Sequence, residues 1–117
     1  MPLSKKPAII MCLTPEYIKD KMGSEEKLHE RFALYGGTDS WTWHLPIRSV
    51  PSKHLKHCYL VFSGKVQYKL SIIGYMPVEN KALSHNKYML KLCNPKKATR
   101  IIPRANFISF QYTDELF

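Results

Sequence analysis

Acidic residues are almost missing from the middle of this chain. Residues 44–104 carry twelve Lys or Arg and one carboxylate, Glu79, whereas residues 1–43 hold six of each sign. Residues 105–117 reverse the balance, with Asp114 and Glu115 and no base. Basicity spread for solubility alone does not segregate in this way. The stretch is expected to form a positive face, which attracts phosphate backbones by releasing their counterions. The competing reading of the same charges is a solvated lysine face without a partner.

Other absences narrow the function classes. No apolar run approaches the ~20 residues of a membrane helix, so no membrane association is expected. The opening Met-Pro-Leu-Ser-Lys-Lys-Pro lacks the apolar stretch of a secretory signal, and the expected compartment is cytoplasmic. Cys12, Cys58 and Cys93 are far apart, odd in number and free of any Cys-x-x-Cys pair. Each lies in an apolar run, which predicts reduced, buried thiols rather than a disulfide framework. There is no Gly-x-Ser-x-Gly elbow, no phosphate-cradling glycine loop and no dinucleotide fingerprint. His54 and His57 have a lysine between and near them and neither a cysteine pair nor a carboxylate close by in sequence, so no metal and no cofactor is expected.

What is present reads as one α+β domain over residues 8–117, behind a loose N-terminus at residues 1–7. Ala8-Ile-Ile-Met-Cys-Leu13 is a continuous apolar run of the kind that makes a central strand buried on both faces. Thr14-Pro15 signals a helix start, with Ile18 and Met22 on one face and Gly23 as the stop. Ser24-Glu25-Glu26 caps a second helix, whose buried stripe is Leu28, Phe32 and Tyr35 and whose end is Gly36-Gly37. Trp41 and Trp43 share one face of an extended segment. Residues 58–62 and 65–72 flank a Ser63-Gly64 turn and make a hairpin. Alternation points Val66, Tyr68, Leu70 and Ile72 inward and Lys65, Gln67, Lys69 and Ser71 outward. Lys87 to Leu92 repeats the pattern, and Phe107 to Tyr112 forms a last strand. One strand, two N-terminal helices and then four or five antiparallel strands predict a curved antiparallel sheet or a small pseudobarrel.

Cations alternating outward from strands beside aromatic rings suit a binder of single-stranded nucleic acid, in which lysines follow phosphates and flat rings stack bases. The strand cations are Lys65, Lys69, Lys87 and Lys91, joined by Lys96, Lys97, Arg100 and Arg104 from a predicted loop. Tyr17, Trp41 and Trp43 are the candidate stacking rings, with core filling as the rival role for the tryptophans. A catalytic group assembled in space would draw on Lys21, Ser24, Lys27, Glu30 and Glu79. The plainer reading of these is a solvated helix face with charge pairs near Glu30.

The order of features resembles the PUA-like superfamily, in particular small ASCH-type domains. The resemblance runs over residues 8–114 and rests on Ile10-Met-Cys-Leu-Thr-Pro-Glu-Tyr17, on Gly23, Lys27, Glu30 and Arg31, on Tyr59-Leu-Val-Phe-Ser-Gly-Lys-Val66, and on Pro103, Arg104, Phe107, Phe110 and Tyr112. It departs from the family pattern where Leu28 stands in place of an expected threonine. The resemblance implies a pseudobarrel with a cleft beside the first helix and a ligand that is RNA or a modified nucleoside. Amidohydrolase or ribonuclease activity, as in some relatives, is the enzymatic alternative that it implies. The expectation is therefore an RNA- or single-stranded-DNA-binding module, against a small hydrolase, or a basic protein docking an acidic protein partner.

Overall fold

The computed structural model describes residues 6–36, 42–47, 54–77, 88–99, 102–103 and 110–116. Strand β1 (Ala8–Cys12) leads into helices α1 (Pro15–Met22) and α2 (Glu25–Tyr35). Five further strands follow: β2 (Trp43–Ile47), β3 (His57–Phe62), β4 (Lys65–Pro77), β5 (Tyr88–Lys97) and β6 (Phe110–Thr113).

The helices begin where the caps require. Thr14 Oγ1 accepts the Tyr17 amide at 3.1 Å, and Pro15 occupies the first turn, where its missing N–H costs nothing. Gly23 adopts φ of +90° and donates its N–H to the Lys19 carbonyl at 3.1 Å, ending α1. Ser24 Oγ then accepts the Lys27 amide at 3.2 Å and starts α2. Ile18, Met22, Leu28 and Phe32 are buried as their spacing predicts, and Tyr35 is half-buried.

The sheet runs in the order β2-β5-β4-β3-β1-β6. It is mixed rather than antiparallel: β1 pairs with β3 in parallel, from Ala8 opposite His57 to Cys12 opposite Val61. A parallel neighbour needs a long crossover, and α1, α2 and β2 lie in the connection between these two strands. Among the described residues the sheet is open, with β2 and β6 at its edges, rather than closed into a barrel. Pro46 is tolerated on β2 because an edge strand has a side on which no amide is needed.

The β3–β4 turn has positive φ at Ser63 (55°) and Gly64 (77°), the geometry of a tight hairpin turn whose twist matches its strands. Three residues past it, at Gln67, the expected alternation fails. Leu60 pairs with Tyr68 but Val61 pairs with Val66, so Gln67 is an extra residue in β4. The bulge turns Val66 to the opposite face from Tyr68 and Leu70. Gln67 is 7% exposed, with its amide donating to the Phe62 carbonyl at 2.9 Å. A buried polar group is tolerated when so bonded.

Among the described residues two clusters of buried side chains result, one on each face. The larger lies between the sheet and the helices and includes Ile9, Leu13, Ile18, Leu28, Phe32, Leu60, Tyr68, Leu70, Leu90 and Leu92. The smaller, on the opposite face, consists of Ala8, Ile10, Tyr59, Val61 and Val66, with Ile102 and Leu116 packed against it. Cys58 and Cys93 are buried, reduced thiols as expected, and burial pushes the Cys58 thiol up. Cys12, also a reduced thiol, is only half-buried.

Candidate functional site

Strand register decides which predicted site residues meet. Trp43 pairs with Leu92, and Tyr68 pairs with Lys97. Leu92 and Tyr68 belong to the helix-side core, so Trp43 and Lys97 occupy positions on that side. Lys65 does too, because it pairs with Phe62. Lys69 pairs with Lys96, and both take the opposite face. Lys91 precedes Leu92 in β5 and therefore shares the face of Lys69 and Lys96, beside its register partner His44. Three strand lysines thus share one face, with Lys91 farther along β5 from the Lys69–Lys96 pair, and Trp43 does not join them.

Trp43 is instead half-buried and meets Phe32 edge-on at a centroid distance of 5.3 Å. Tyr17, also half-buried, packs on the same core, and burial raises its hydroxyl pKa. Lys96 and Lys97 lie in β5, not in the loop expected there. Asn94, at φ of +52°, and Pro95 fall where the pairing of β5 with β4 shifts by one residue, which carries the strand past a proline. Trp41, Glu79, Lys87, Arg100 and Arg104 lie outside the described residues.

The lysine face includes a polar clamp that charge segregation alone does not reveal. Glu115, two residues after β6, folds back onto β3 and β4. Its Oε1 accepts from His57 Nδ1 at 2.6 Å, while its Oε2 accepts from Lys69 Nζ at 2.8 Å and from the Tyr59 hydroxyl at 3.0 Å. A carboxylate only accepts, so His57 carries its proton on Nδ1. The Tyr59 oxygen in turn accepts the Leu116 amide at 2.8 Å. Burial alone would raise the Glu115 pKa, but the Lys69, His57 and Tyr59 bonds outweigh it and hold the carboxyl at about 2. Lys69 shows the counterpart: burial would lower it, yet Glu115 and Tyr59 raise it overall. Next to the clamp, Asp114 pairs with Lys6 at 3.0 Å on an exposed surface.

His57, which the sequence pairs with His54 as a rejected metal motif, is thus a clamp residue. The one signal in the sequence was the pair of acids, Asp114 and Glu115, that follows the basic stretch after nine uncharged residues. Also on this face, His44 Nε2 is buried without a hydrogen-bond partner among the described residues.

The helix side carries a second constellation. A pocket of about 270 Å³ is lined by Leu13, Pro15, Ile18, Lys19, Phe62 and the polar trio Ser24, Glu25 and Ser63. The Ser63 hydroxyl donates to Glu25 Oε1 at 2.8 Å, and His29 Nε2 lies 3.8 Å from that oxygen. His29 Nδ1 and the Tyr68 hydroxyl share a 2.6 Å bond. Burial raises the Tyr68 pKa, so the phenol keeps its proton and donates. With Nδ1 accepting, the proton of a neutral His29 sits on Nε2, facing Glu25. Lys21, Lys27 and Glu30, expected as the catalytic pool, are exposed on the helices and do not line this pocket; Ser24 does.

No family model, curated protein or solved structure matches the chain.

Proposed function

We propose that this protein binds nucleic acid, RNA or single-stranded DNA, through the sheet face opposite the helices. The observation that carries the reading is the register that sets Lys69 against Lys96 and turns Lys91 to the same face. Strand-borne cations follow a phosphate backbone without reading sequence. The reading takes the chain as a divergent PUA-like, ASCH-type domain, but it does not require Trp43 to stack a base. The test is fluorescence anisotropy of labelled single-stranded RNA, single-stranded DNA and duplex at several salt concentrations. Lys91→Ala and Lys96→Ala should each weaken binding of all sequences and reduce the salt slope by about one. Absence of binding to all three probes at low salt would remove the proposal. A pull-down of an acidic protein that survives nuclease would then favour a protein partner.

The pocket beside α1 favours a second reading, a small hydrolase acting on a modified nucleoside or RNA. There Glu25, bonded to the Ser63 hydroxyl, is placed to take a proton, and the protonated Nε2 of His29 faces that carboxylate and orients it. Turnover of acylated nucleosides that is lost in Glu25→Gln would support this reading. No turnover across a broad nucleoside and RNA panel would retire it.

A further inference from the structure

The Glu115 carboxylate sits among donors that suit a different anion equally well. His57 and Tyr59 project from β3 and Lys69 from β4, and both strands lie inside the sheet with a neighbour on each side. The donors are therefore held by two inner strands, whereas their acceptor comes from the segment that follows the edge strand β6. An imidazole N–H, a phenol O–H and an ammonium converging on two oxygens at 2.6–3.0 Å also match the oxygens of a phosphate. Lys96, exposed and in register with Lys69, adds a second cation beside them. The segment holding Glu115 in place is anchored by the exposed Lys6–Asp114 ion pair and by the Leu116 amide bond to Tyr59. The side chains of Glu115 and Asp114 are 37% and 75% exposed, and the only apolar anchor among residues 114–116 is the half-buried Leu116.

We propose that His57, Tyr59 and Lys69 form a phosphate-binding site, and that Glu115 is its tethered competitor, displaced when the phosphate docks. The ligand is a phosphodiester of the nucleic acid, so the inference rests on the nucleic-acid reading above. A tethered carboxylate competes at a high effective concentration. A lone phosphate displaces it poorly, whereas a strand that also engages Lys91 and Lys96 displaces it readily. The tail thereby favours polyanions over free phosphate.

The test uses the full chain and its Glu115→Gln variant, with folding of both checked by circular dichroism. Labelled single-stranded RNA should bind the variant at least about fivefold more tightly at low salt, with a salt slope steeper by about one. Adding Lys69→Ala to Glu115→Gln should erase that gain. If the wild type binds RNA and the folded variant binds no more tightly, the competitor is overturned while the nucleic-acid reading stands. If neither binds RNA, that reading fails, and inorganic phosphate titrated into Glu115→Gln decides what remains. A saturable shift of the His57 ring resonances would keep the site as one for free phosphate, and no shift would overturn it. Should Glu115→Gln not fold, the Leu116 amide resonance of the wild type gives the answer during RNA titration. Movement to a disordered position supports displacement, and an unchanged resonance alongside RNA binding overturns it.

Discussion

The two faces of the sheet are held by different means. The helix-side face is closed by side chains without charge: Leu28 and Phe32 of α2 and Ile18 and Met22 of α1 cover Leu60, Leu70, Leu90 and Leu92. Such burial is non-directional, at about 25 cal/mol for each Å² removed from water, so it tolerates imperfect geometry. Among the described residues the opposite face buries a small cluster around Tyr59 and is finished by a carboxylate, an imidazole, a phenol and an ammonium. Those bonds depend on angle, protonation and salt. One face therefore gives bulk stability, while the other responds to pH and to competing anions.

Truncation should separate the faces most sharply. Phe32 is 1% exposed and meets Tyr68 edge-on at 4.8 Å. Phe32→Ala should cost about 3–5 kcal/mol, read as a lower midpoint in urea unfolding. Trp43→Ala removes a half-buried ring from the same side and should cost about 2 kcal/mol. Because Trp43 faces away from Lys69, Lys91 and Lys96, nucleic-acid affinity of the folded variant should not change. A loss of affinity at unchanged stability would return Trp43 to a stacking role and dissolve the division between faces. On the clamp side, Tyr59→Phe keeps the ring but removes the oxygen shared by Glu115 and Leu116. It should cost about 1–2 kcal/mol, with the Leu116 amide losing hydrogen-exchange protection.

The helix-side face was legible because its signals are local and periodic. Thr14, Pro15, Gly23 and Ser24 mark the helix ends, and Leu28 and Phe32 follow the helical repeat. Alternation in β4 was legible from Tyr68 to Leu70 and failed at Val66, where Gln67 inserts one residue and reverses every face assignment before it. A bulge of this kind leaves no period to read. The parallel pairing of β1 with β3 was also hidden, since periodicity identifies strands but not their neighbours. At the lysine face the sequence supplied the charge but not the shared face, which depends on register across β4 and β5. The clamp was least legible of all, because Glu115 lies 58 positions from His57 and 56 from Tyr59. No local pattern links residues so far apart.

The smallest expected effect tests the polar face by pH. Glu115 is faced by His57, Tyr59 and Lys69, and its carboxyl falls from an ordinary 4.5 to about 2 in the folded chain. A depressed carboxylate stabilises the fold above its unfolded pKa, and this contribution is lost as pH falls from about 4.5 toward 2. Lys69, raised in the folded state, acts with the opposite sign. Its contribution is complete below its ordinary value of 10.5 and disappears as pH rises through the folded value. The clamp is therefore strongest near neutrality and weakens toward both extremes. Glu115→Gln should cost about 1 kcal/mol at pH 7, a modest amount because the pair is part-exposed and screened by solvent. The difference from wild type should shrink as pH falls toward 2, when the wild-type carboxyl is protonated too. Urea melts of both chains between pH 2 and 7 measure it. A difference that stays constant across that range would mean that packing of the tail, rather than the charge on Glu115, closes this face.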